Sequence, residues 1–591
     1  METGLAYIKS QVSRWLFLIS LVTIGVVIWD VGFIDQGHDK AWQRLYFEIF
    51  LIVILILQAV RLRKVTFTWP PSSFQVTEGL FTLINLFWVL RVFITRNVWL
   101  QEFSHKHGLY PLFTVYILIF CITEILKQSF KFSFFNLHPN ILFATSFLLV
   151  IFGGSLLLML PSSTTQNIDY IDALFTSTSA VCVTGLATMD TAKDFTRFGQ
   201  SMILLLIQVG GLGIMTFTSL IAYFLKGGSS FGNQLIVKEL TNTKALGSVF
   251  SILTKIIIIT LITEIIGTIL IYGSIPPPIR PDESDRIFFA LFHSISAFCN
   301  AGFSTMSMGL FDEAFRYNYY LHLIIAVLII IGGLGFNIVF DLYDTLAKWL
   351  KSLYYTVFWD RPFLHVARIA NLHTKLVLIT TFWLLVLPTI VFYFIERKES
   401  LADYPELGRW VESFFSAVTP RTAGFNTLDI ADMTAPSIML IMLLMYIGGS
   451  PGSTAGGIKT SVFAVGMLNI FSVAKGKKRV EFDLHEISSD SIQKTFSIIG
   501  LSLLAIGFLT FLLSMTELDK EISVLAFEVF SAFGTVGLTL NLTPSLSDGG
   551  KIIIILAMFI GRVGLFVLLS GLLPKPKSLH YRYPSEDIIV T

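Results

Sequence analysis

The sequence predicts an all-α polytopic membrane protein. We expect four pseudo-repeats of helix, re-entrant pore helix with filter loop, and helix around one central pore, plus four extra N-terminal transmembrane helices. Of the 591 residues, 54% are hydrophobic and only 14% are charged, whereas a soluble protein of this length carries far more surface charge. Apolar runs near the ~20-residue length of a bilayer span recur throughout. A short motif ending in glycine occurs four times between long apolar segments.

The N-terminal part of the chain, residues 1–135, is predicted to form an extension of four transmembrane helices. Its apolar segments cover 15–33, 46–60, 78–95 and 109–126. No small-residue cleavage site follows the first segment, so we expect a retained membrane helix rather than a signal peptide. Basic clusters follow the second segment, from Arg61 to Lys64, and the fourth, at Lys127 and Lys131. The positive-inside rule therefore places the N-terminus in the cytoplasm.

The rest of the chain predicts four pore repeats. They cover 136–240, 241–365, 366–485 and 486–591; the third holds a candidate gating loop and the fourth a cytoplasmic C-terminal tail. Each has a long helix, a link, a short helix, a glycine loop and a second long helix. The first helices are predicted at 140–160, 249–273, 373–395 and 491–514. The second helices are predicted at 198–225, 319–347, 435–474 (interrupted) and 550–573.

The short helices of the four repeats are predicted to be re-entrant. They cover 170–181, 285–298, 409–419 and 522–533, and all are too short to span a bilayer. Each contains a Ser-Ala pair, at Ser179-Ala180, Ser296-Ala297, Ser416-Ala417 and Ser531-Ala532. The third pair is displaced by two residues relative to its glycine, so we expect the third repeat to depart from strict register.

The four glycine loops predict a cation filter. Irregular backbone at membrane depth must be buried in protein or line a wet cavity, and glycine permits positive φ and close backbone approach. Carbonyl oxygens can replace the hydration shell of a cation, and the C-terminal ends of the short helices, each carrying about half a negative charge, favour it. One such glycine is usually a packing position, but four in one context favour a filter. The candidate filter residues are Cys182, Val183, Thr184, Gly185, Cys299, Asn300, Ala301, Gly302, Thr422, Ala423, Gly424, Thr535, Val536 and Gly537.

A glycine-rich run inside the second helix of the third repeat is a candidate gate. Its residues are Gly448, Gly449, Ser450, Pro451, Gly452, Ser453, Thr454, Ala455, Gly456 and Gly457. Proline removes a backbone donor and glycine carries an entropic cost, so the helix must break there. Arg562 lies at the equivalent depth of the fourth repeat, where it would repel a cation below the filter. A packing kink and a structural arginine are the alternatives.

Several other residues bear on the class of protein. Glu264, Lys255, Lys375 and Glu528 are ionisable groups within apolar segments; we expect buried structural partners for the two glutamates, with proton coupling as the alternative. The three cysteines have no CxxC neighbour, which argues against a disulfide framework or a metal site. Ile458 rather than glycine precedes Lys459, so the glycine-rich run does not match a nucleotide-binding loop. With no HExxH motif and no nucleotide-binding lysine loop, we expect no enzyme.

Over residues 138–573 the chain resembles the potassium-translocating subunits of the bacterial Trk and Ktr systems, which are related to fungal Trk and plant HKT transporters. The most specific matches are Val183-Thr184-Gly185-Leu186, Gln208-Val209-Gly210-Gly211-Leu212-Gly213, Thr419-Pro420-Arg421-Thr422-Ala423-Gly424-Phe425-Asn426, Gly448 to Thr460, and Gly561-Arg562-Val563-Gly564. The resemblance implies one filter glycine per repeat and an intramembrane gating loop below the filter. It also implies a homodimer with one pore per protomer, and a separate cytosolic ring of RCK-type nucleotide-binding domains.

These observations together predict potassium uptake across the plasma membrane, the inner membrane of a bacterium. The ion would follow the membrane potential, which contributes ~2.3 kcal/mol per charge per 100 mV. K⁺ at the filter residues is the expected cargo, with no cofactor on this chain, no nucleic-acid partner, a surrounding lipid bilayer and both termini cytoplasmic. In the plant relatives a serine at the first filter glycine goes with sodium preference; here Gly185 is present. The alternatives are a Na⁺-coupled or H⁺-coupled K⁺ symporter and a poorly selective K⁺/Na⁺ transporter.

Overall fold

A computed structural model describes residues 2–33, 41–62, 73–94, 139–225, 249–275, 282–359 and 371–573, with scattered residues between 113 and 124. The described chain is helical except for one short hairpin. Its contacts divide it into two compact units: Met1–Leu137 with Leu160–Ser162, and His138–Met159 with Ser163–Thr591.

The N-terminal unit is a bundle of long helices with an apolar core that also contains buried polar pairs. Its helices are α1 Glu2–Gly32, α2 Ala41–Leu62 and α3 Ser73–Ile94. The fourth predicted segment, 109–126, lies mostly outside the described residues. Inside the unit, Arg61 pairs with Glu124 at 2.9 Å, and Asn85 donates to the Gln58 Oε1 at 2.7 Å. Polar groups in a membrane bundle need such internal partners because lipid offers none.

The second unit contains the remaining helices. The long first helices are α4 Pro139–Leu158, α7 Val249–Ser274, α11 Leu372–Glu396 and α15 Ser489–Thr516. The short helices are α5 Tyr170–Cys182, α8 Glu283–Phe298, α12 Glu406–Val418 and α16 Ile522–Gly534. The second helices are α6 Arg197–Leu225, α9 Tyr319–Leu334 with α10 Phe336–Trp359, α13 Ala435–Tyr446 with α14 Thr460–Ala474, and α17 Asp548–Val563 with α18 Leu565–Leu572. The strands β1 Glu481–Phe482 and β2 His485–Glu486 form an antiparallel hairpin.

The lengths of these helices fit a multi-pass membrane protein. Within the described chain, four helices are long and apolar enough to cross a bilayer, or six if each bent pair forms one span. The short helices have 13 to 16 residues, below the ~20 that a span needs. They are also largely buried, with Phe175, Phe292, Phe415 and Phe527 fully inside the protein.

Two second helices that the sequence predicted to be continuous are broken. The helix predicted over 319–347 bends by 100° at Gly335, and the one predicted over 550–573 bends by 81° at Gly564. Both glycines have φ of 88°, a conformation that a side chain disfavours and that ends regular helix. The predictions of unbroken helices were therefore wrong, and the hairpin at residues 481–486 was not predicted.

Helix starts on one face of the unit are capped by the ends of the preceding first helices. The Glu396 carboxylate accepts from Thr434 N at 3.1 Å and Thr434 Oγ1 at 2.6 Å. The Glu517 carboxylate accepts from Ser547 N at 2.9 Å and Ser547 Oγ at 2.5 Å. The N-terminus of a helix has unpaired N–H groups and partial positive charge, which a carboxylate satisfies. These caps fix where α13 and α17 enter the core.

Candidate ion pathway

The four glycine loops share an unusual backbone conformation. In each loop the glycine and the residue two positions before it have positive φ. The non-glycine members are Val183, Asn300, Thr422 and Thr535, with φ of 56°, 60°, 69° and 50°. The glycines are Gly185, Gly302, Gly424 and Gly537, with φ of 93°, 70°, 74° and 97°. Left-handed valine, asparagine and threonine are uncommon and costly, so matching strain in four loops indicates a shape maintained by the surrounding fold.

The loops meet and close into a ring. A Cβ on each loop glycine would lie under 3.0 Å from the carbonyl oxygen that precedes the glycine of the next loop. The sequence of contacts is Gly185 to Ala301 O, Gly302 to Ala423 O, Gly424 to Val536 O, and Gly537 to Thr184 O. Because the fourth contact returns to the first loop, the four glycines and four carbonyls enclose one central point.

Hydroxyl groups at the ends of the short helices hold the loops. Ser179 Oγ accepts from Gly185 N at 3.0 Å and Ser531 Oγ accepts from Gly537 N at 3.1 Å. Ser296 Oγ donates to Phe303 O at 2.8 Å. In the third loop, where the Ser-Ala pair is displaced, Thr419 Oγ1 makes the corresponding bond at 2.5 Å, to the carbonyl after its glycine. We call Ser179, Ser296, Thr419 and Ser531 the loop hydroxyls. These residues could have been predicted from the sequence, because each lies five or six positions before a loop glycine.

A cavity lies on one side of the ring. It has a volume of about 440 Å³, with all four loop glycines in its lining. Asp190 and Asp429 are its acidic groups, and Asn426, Asn541 and Thr539 add polar groups. Carboxylates in a confined mouth raise the local concentration of cations. The ring is therefore reached through an acidic vestibule.

The glycine-rich run between α13 and α14, which we call the gate loop (residues 448–457), lies against the ring on another side. Its base is closed by backbone bonds from Gly448 N to Ile458 O and from Thr460 N to Gly449 O, both 2.9 Å. A Cβ on Gly456 would meet the side chain of Thr535, and one on Gly448 would lie 3.3 Å from Thr422 Cγ2. The gate loop thus touches the left-handed residues of the ring.

Asn300 adds a polar contact between the ring and the gate loop. Its side-chain amide lies 3.4 Å from Thr422 Oγ1 and 3.4 Å from Thr454 Oγ1. Asn300, Thr422 and Thr454 are all buried. This amide therefore joins the second glycine loop, the third glycine loop and the gate loop.

Three cations surround the gate loop: Arg421 and Arg562, which are buried, and Lys459, which is partly buried. Arg562 donates through Nη1 to Thr454 O and through Nη2 to Gly210 O, the latter at 2.5 Å. Lys459 Nζ donates to Ala455 O at 2.8 Å, and Arg421 Nη2 donates to Thr460 Oγ1 at 3.2 Å. Within the described chain, none of the three forms an ion pair with a carboxylate. Their uncompensated charge lies where it would oppose a cation leaving the ring.

The structure thus brings Arg562 and the gate loop together, as the sequence suggested. Arg421 and Lys459 were not among the predicted site residues. Arg421 directly precedes the predicted site residue Thr422, and Lys459 lies two positions after the predicted site residue Gly457. A charged residue close to a pore motif was therefore the available signal.

The two glutamates singled out in the sequence lie behind the ring. Glu264 Oε2 accepts from Gln208 Nε2 at 3.2 Å, and Cys299 Sγ lies 4.0 Å from its Oε1. Glu528 accepts from Thr539 Oγ1 at 2.8 Å and from Thr543 Oγ1. Both carboxylates therefore have neutral hydrogen-bond donors as partners. Lys375, by contrast, is half-exposed and pairs with Asp483 of the hairpin at 2.6 Å.

Polar side-chain contacts join second helices to the neighbouring short helices. Arg197 of α6 forms an ion pair with Asp285 of α8 at 2.9 Å. His322 Nδ1 of α9 is hydrogen-bonded to Glu412 Oε1 of α12 at 2.8 Å, with both side chains fully buried. Lys551 of α17 pairs with Asp172 of α5 at 2.7 Å, which joins the last part of the chain to the first short helix. We call these three contacts the inter-helix pins; in the described chain no corresponding pair joins α13 to α16.

The fold and its apolar helices define a helical, multi-pass membrane protein. The chain belongs to the TrkH family, described as cation transport proteins, whose match covers residues 111–581.

Individual relatives agree with this assignment. The chain is 37% identical over 464 residues to the potassium/sodium uptake protein NtpJ of Enterococcus hirae, covering 77% of this chain and 98% of that protein. It is 37% identical over 454 residues to the Ktr system potassium uptake protein B of Bacillus subtilis, covering 76% and 96%. The potassium transporter TrkH of Vibrio parahaemolyticus shares the fold, with a TM-score of 0.59 at 18% identity, covering 89% of this chain and 99% of that one.

Proposed function

We propose that this protein takes up K⁺ across the plasma membrane through the ring of glycine loops. The observation that supports this most strongly is the closure of the ring: four carbonyls from four parts of one chain surround one point. Two of the relatives described above are named potassium or potassium/sodium uptake proteins. In this proposal 136–240, 241–365, 366–485 and 486–591 are the four pore repeats, and the predicted filter residues carry the ion.

The proposed mechanism begins in the acidic vestibule. Asp190 and Asp429 attract a hydrated cation, which loses water as it meets the carbonyls of Thr184, Ala301, Ala423 and Val536. The C-terminal ends of the four short helices add partial negative charge around the same point. The membrane potential supplies the driving force, ~2.3 kcal/mol per charge per 100 mV.

The gate loop and the three cations around it close the pathway in this proposal. The loop fills the space next to the ring, and Arg562, Lys459 and Arg421 place positive charge beside it. A cation leaving the ring would meet both a steric and an electrostatic barrier. Opening then requires the gate loop to move away, which breaks the bond from Arg562 to Thr454 O.

Partners and orientation complete the proposal. Some relatives are named as components of the Ktr system, which supports a separate regulatory component. We propose that this component is a cytosolic RCK-type nucleotide-binding subunit, that the membrane protein is a homodimer, and that both termini are cytoplasmic. The protein has no enzymatic role in this proposal.

Mixed K⁺/Na⁺ transport is the second candidate function. No two loops have the same three residues before the glycine, although Ala301 and Ala423 occupy the same position. The ring therefore has no fourfold chemical symmetry to define one ion radius, and one relative is named a potassium/sodium uptake protein. The ratio of Rb⁺ to Na⁺ uptake into proteoliposomes distinguishes the two candidates.

The direct test is Rb⁺ uptake into proteoliposomes under an inside-negative potential. We expect wild-type uptake well above that of empty vesicles and a loss of uptake or selectivity in Gly185→Ser, because a side chain there meets the Ala301 carbonyl. Gly153→Ser is the matched control, since a Cβ on Gly153 meets no atom within 4 Å. Wild-type uptake equal to that of empty vesicles, with no effect of Gly185→Ser, would refute the proposal.

A further inference from the structure

Helix α10 extends away from the core of the second unit at a steep angle to α9. The bend at Gly335 sets residues 336–345 at 100° to the axis of α9. An apolar helix such as α9 is expected to run along the bilayer normal, and a helix nearly perpendicular to it then runs along the plane of the bilayer.

One side of α10 is apolar and exposed. Among its described side chains, the large exposed apolar ones are Leu342, Tyr343, Trp349, Leu353, Tyr354 and Phe358, with exposures of 38% to 71%. At 100° per residue they cover one half of the helix, while Asp344 and Lys351, also exposed, lie in the other half, across the helix from Trp349 and Leu353 but beside Phe358. An aromatic-rich face with charged residues on the remaining surface is typical of helices that lie in a membrane interface.

The bend that starts α10 is also hydrogen-bonded to the gate loop. Ser450 N donates to Gly333 O at 2.9 Å and Thr454 N donates to Gly332 O at 3.4 Å. In the other direction, Phe336 N donates to Gly452 O at 3.1 Å. A helix that ends leaves carbonyls unpaired, and a helix that begins leaves N–H groups unpaired. The backbone groups left unpaired at the bend between α9 and α10 are therefore hydrogen-bonded to backbone groups of the gate loop.

We propose that the bilayer interface is the binding partner of α10, and that α10, held there by lipid, positions the gate loop through Phe336 N and the carbonyls of Gly332 and Gly333. The second part rests on the proposed function, because it assigns the docked gate loop to the closed pathway. Tyr and Trp suit this location because each has an apolar ring and a polar atom that stays hydrated.

Displacement of α10 has a direct effect in this arrangement. Phe336 is the first residue of α10, so movement of the helix withdraws its N–H from Gly452 O. The carbonyls of Gly332 and Gly333 belong to the end of α9, so a change of the bend angle also loosens their bonds to Ser450 and Thr454. Lipid that holds α10 in the interface therefore keeps the gate loop against the ring.

The location of α10 is tested with single-cysteine spin labels in phosphatidylcholine/phosphatidylglycerol vesicles. We expect labels at 349 and 353 to collide with oxygen dissolved in lipid, and labels at 344 and 351, across the helix, to collide with a water-soluble nickel chelate. The three native cysteines are buried. Labels at 349 and 353 that the nickel chelate reaches as readily as 344, or that a second copy shields from both reagents, would overturn the proposal.

The coupling is tested with Phe336→Pro and its control Phe336→Leu. Proline is tolerated at the first position of a helix but has no N–H, so Phe336→Pro removes the hydrogen bond to Gly452 O. Phe336→Leu keeps this hydrogen bond and, like the proline variant, lacks the phenyl side chain. We expect Rb⁺ uptake by Phe336→Pro to exceed that of Phe336→Leu about fivefold, or ~1 kcal/mol, a typical net hydrogen bond. Equal uptake by the two variants would refute the coupling.

A second pair of variants tests the lipid contact itself. Tyr354→Glu with Phe358→Glu places charge on the apolar half of α10, and we expect a rise in Rb⁺ uptake together with loss of oxygen collisions at a label on 343. The control, Asp344→Asn with Lys351→Gln, leaves the apolar half intact and should change neither. Displacement of the label without a change in uptake would overturn the coupling to the gate loop. Wild-type vesicles that take up no Rb⁺ would refute the proposed function, while the label collisions would still report where α10 lies.

Discussion

The backbone geometry of the ring depends on the conformation of single residues as well as on helix packing. Val183, Asn300, Thr422 and Thr535 adopt left-handed backbone that their side chains disfavour. Such strain persists only where neighbouring groups hold it, and the loop hydroxyls are those groups. A change at one hydroxyl should therefore alter the ring without unfolding the protein.

Thr419→Val tests this at the third loop. The variant keeps the shape of threonine but removes the O–H that donates to Phe425 O, which leaves a buried carbonyl unsatisfied at a cost of about 1 to 3 kcal/mol. We expect the Rb⁺/Na⁺ uptake ratio to fall several-fold. Thr419→Ser keeps the donor and should retain the wild-type ratio. A ratio in Thr419→Val equal to that of the wild type would contradict a role for the hydroxyl.

Arg562→Gln tests the electrostatic barrier. Arg562 is only 3% exposed and has carbonyl partners on the gate loop and on α6. Removal of its charge weakens the docking of the gate loop, and since a hydrogen bond to a charged group contributes about 1.5 to 3 kcal/mol, we expect at least a tenfold rise in Rb⁺ uptake. Arg479→Gln, which alters a largely exposed arginine, is the control. Unchanged or reduced uptake in Arg562→Gln would argue for a purely structural arginine.

At the scale of helices, segment lengths and apolar content predicted most boundaries well. The predicted first helix of the third repeat, 373–395, is observed as Leu372–Glu396, and the short helix predicted at 522–533 is Ile522–Gly534. The bends at Gly335 and Gly564 were missed because glycine is frequent in membrane helices as a packing residue. Only the φ of 88° at both positions, which sequence alone does not reveal, separates a bend from a packing contact.

The inter-helix pins also could not be predicted from the sequence. Asp172 and Lys551 are 379 positions apart, and no local pattern relates them. The candidate filter residues could be proposed because a glycine motif occurs four times, and the gate residues because a glycine-rich run interrupts an apolar helix. Arg421 and Lys459 could not be assigned to the gate loop, because their burial depends on how α13, α14 and the third glycine loop pack.

The pin between α5 and α17 makes a prediction about stability. Asp172 and Lys551 lie 2.7 Å apart with side chains 17% and 13% exposed, so solvent screens the pair only partly. A double-mutant cycle of Asp172→Asn and Lys551→Met in thermal unfolding should give a coupling energy of ~1 kcal/mol. Purely additive effects of the two changes would show that the pin contributes no stability.

At the scale of the whole second unit, the ring, vestibule and gate loop lie in series. The acidic vestibule acts through its field rather than through contacts, so its effect should depend on ionic strength. Asp190→Asn with Asp429→Asn should raise the KM for Rb⁺ about two- to threefold at low salt, with the difference shrinking at high salt. Lys193 lies near Asp190 at 3.8 Å, so Lys193→Gln should shift the KM in the opposite direction. A salt-independent change would point to a local structural effect instead.

The closed ring has a genetic consequence. In a pore made of four identical subunits, one point mutation alters all four quarters at once. Here each quarter is encoded separately, at Gly185, Gly302, Gly424 and Gly537, so a mutation changes one quarter and leaves three intact. Under the proposed function, ion preference can therefore be adjusted one quarter at a time, with the other three quarters unchanged.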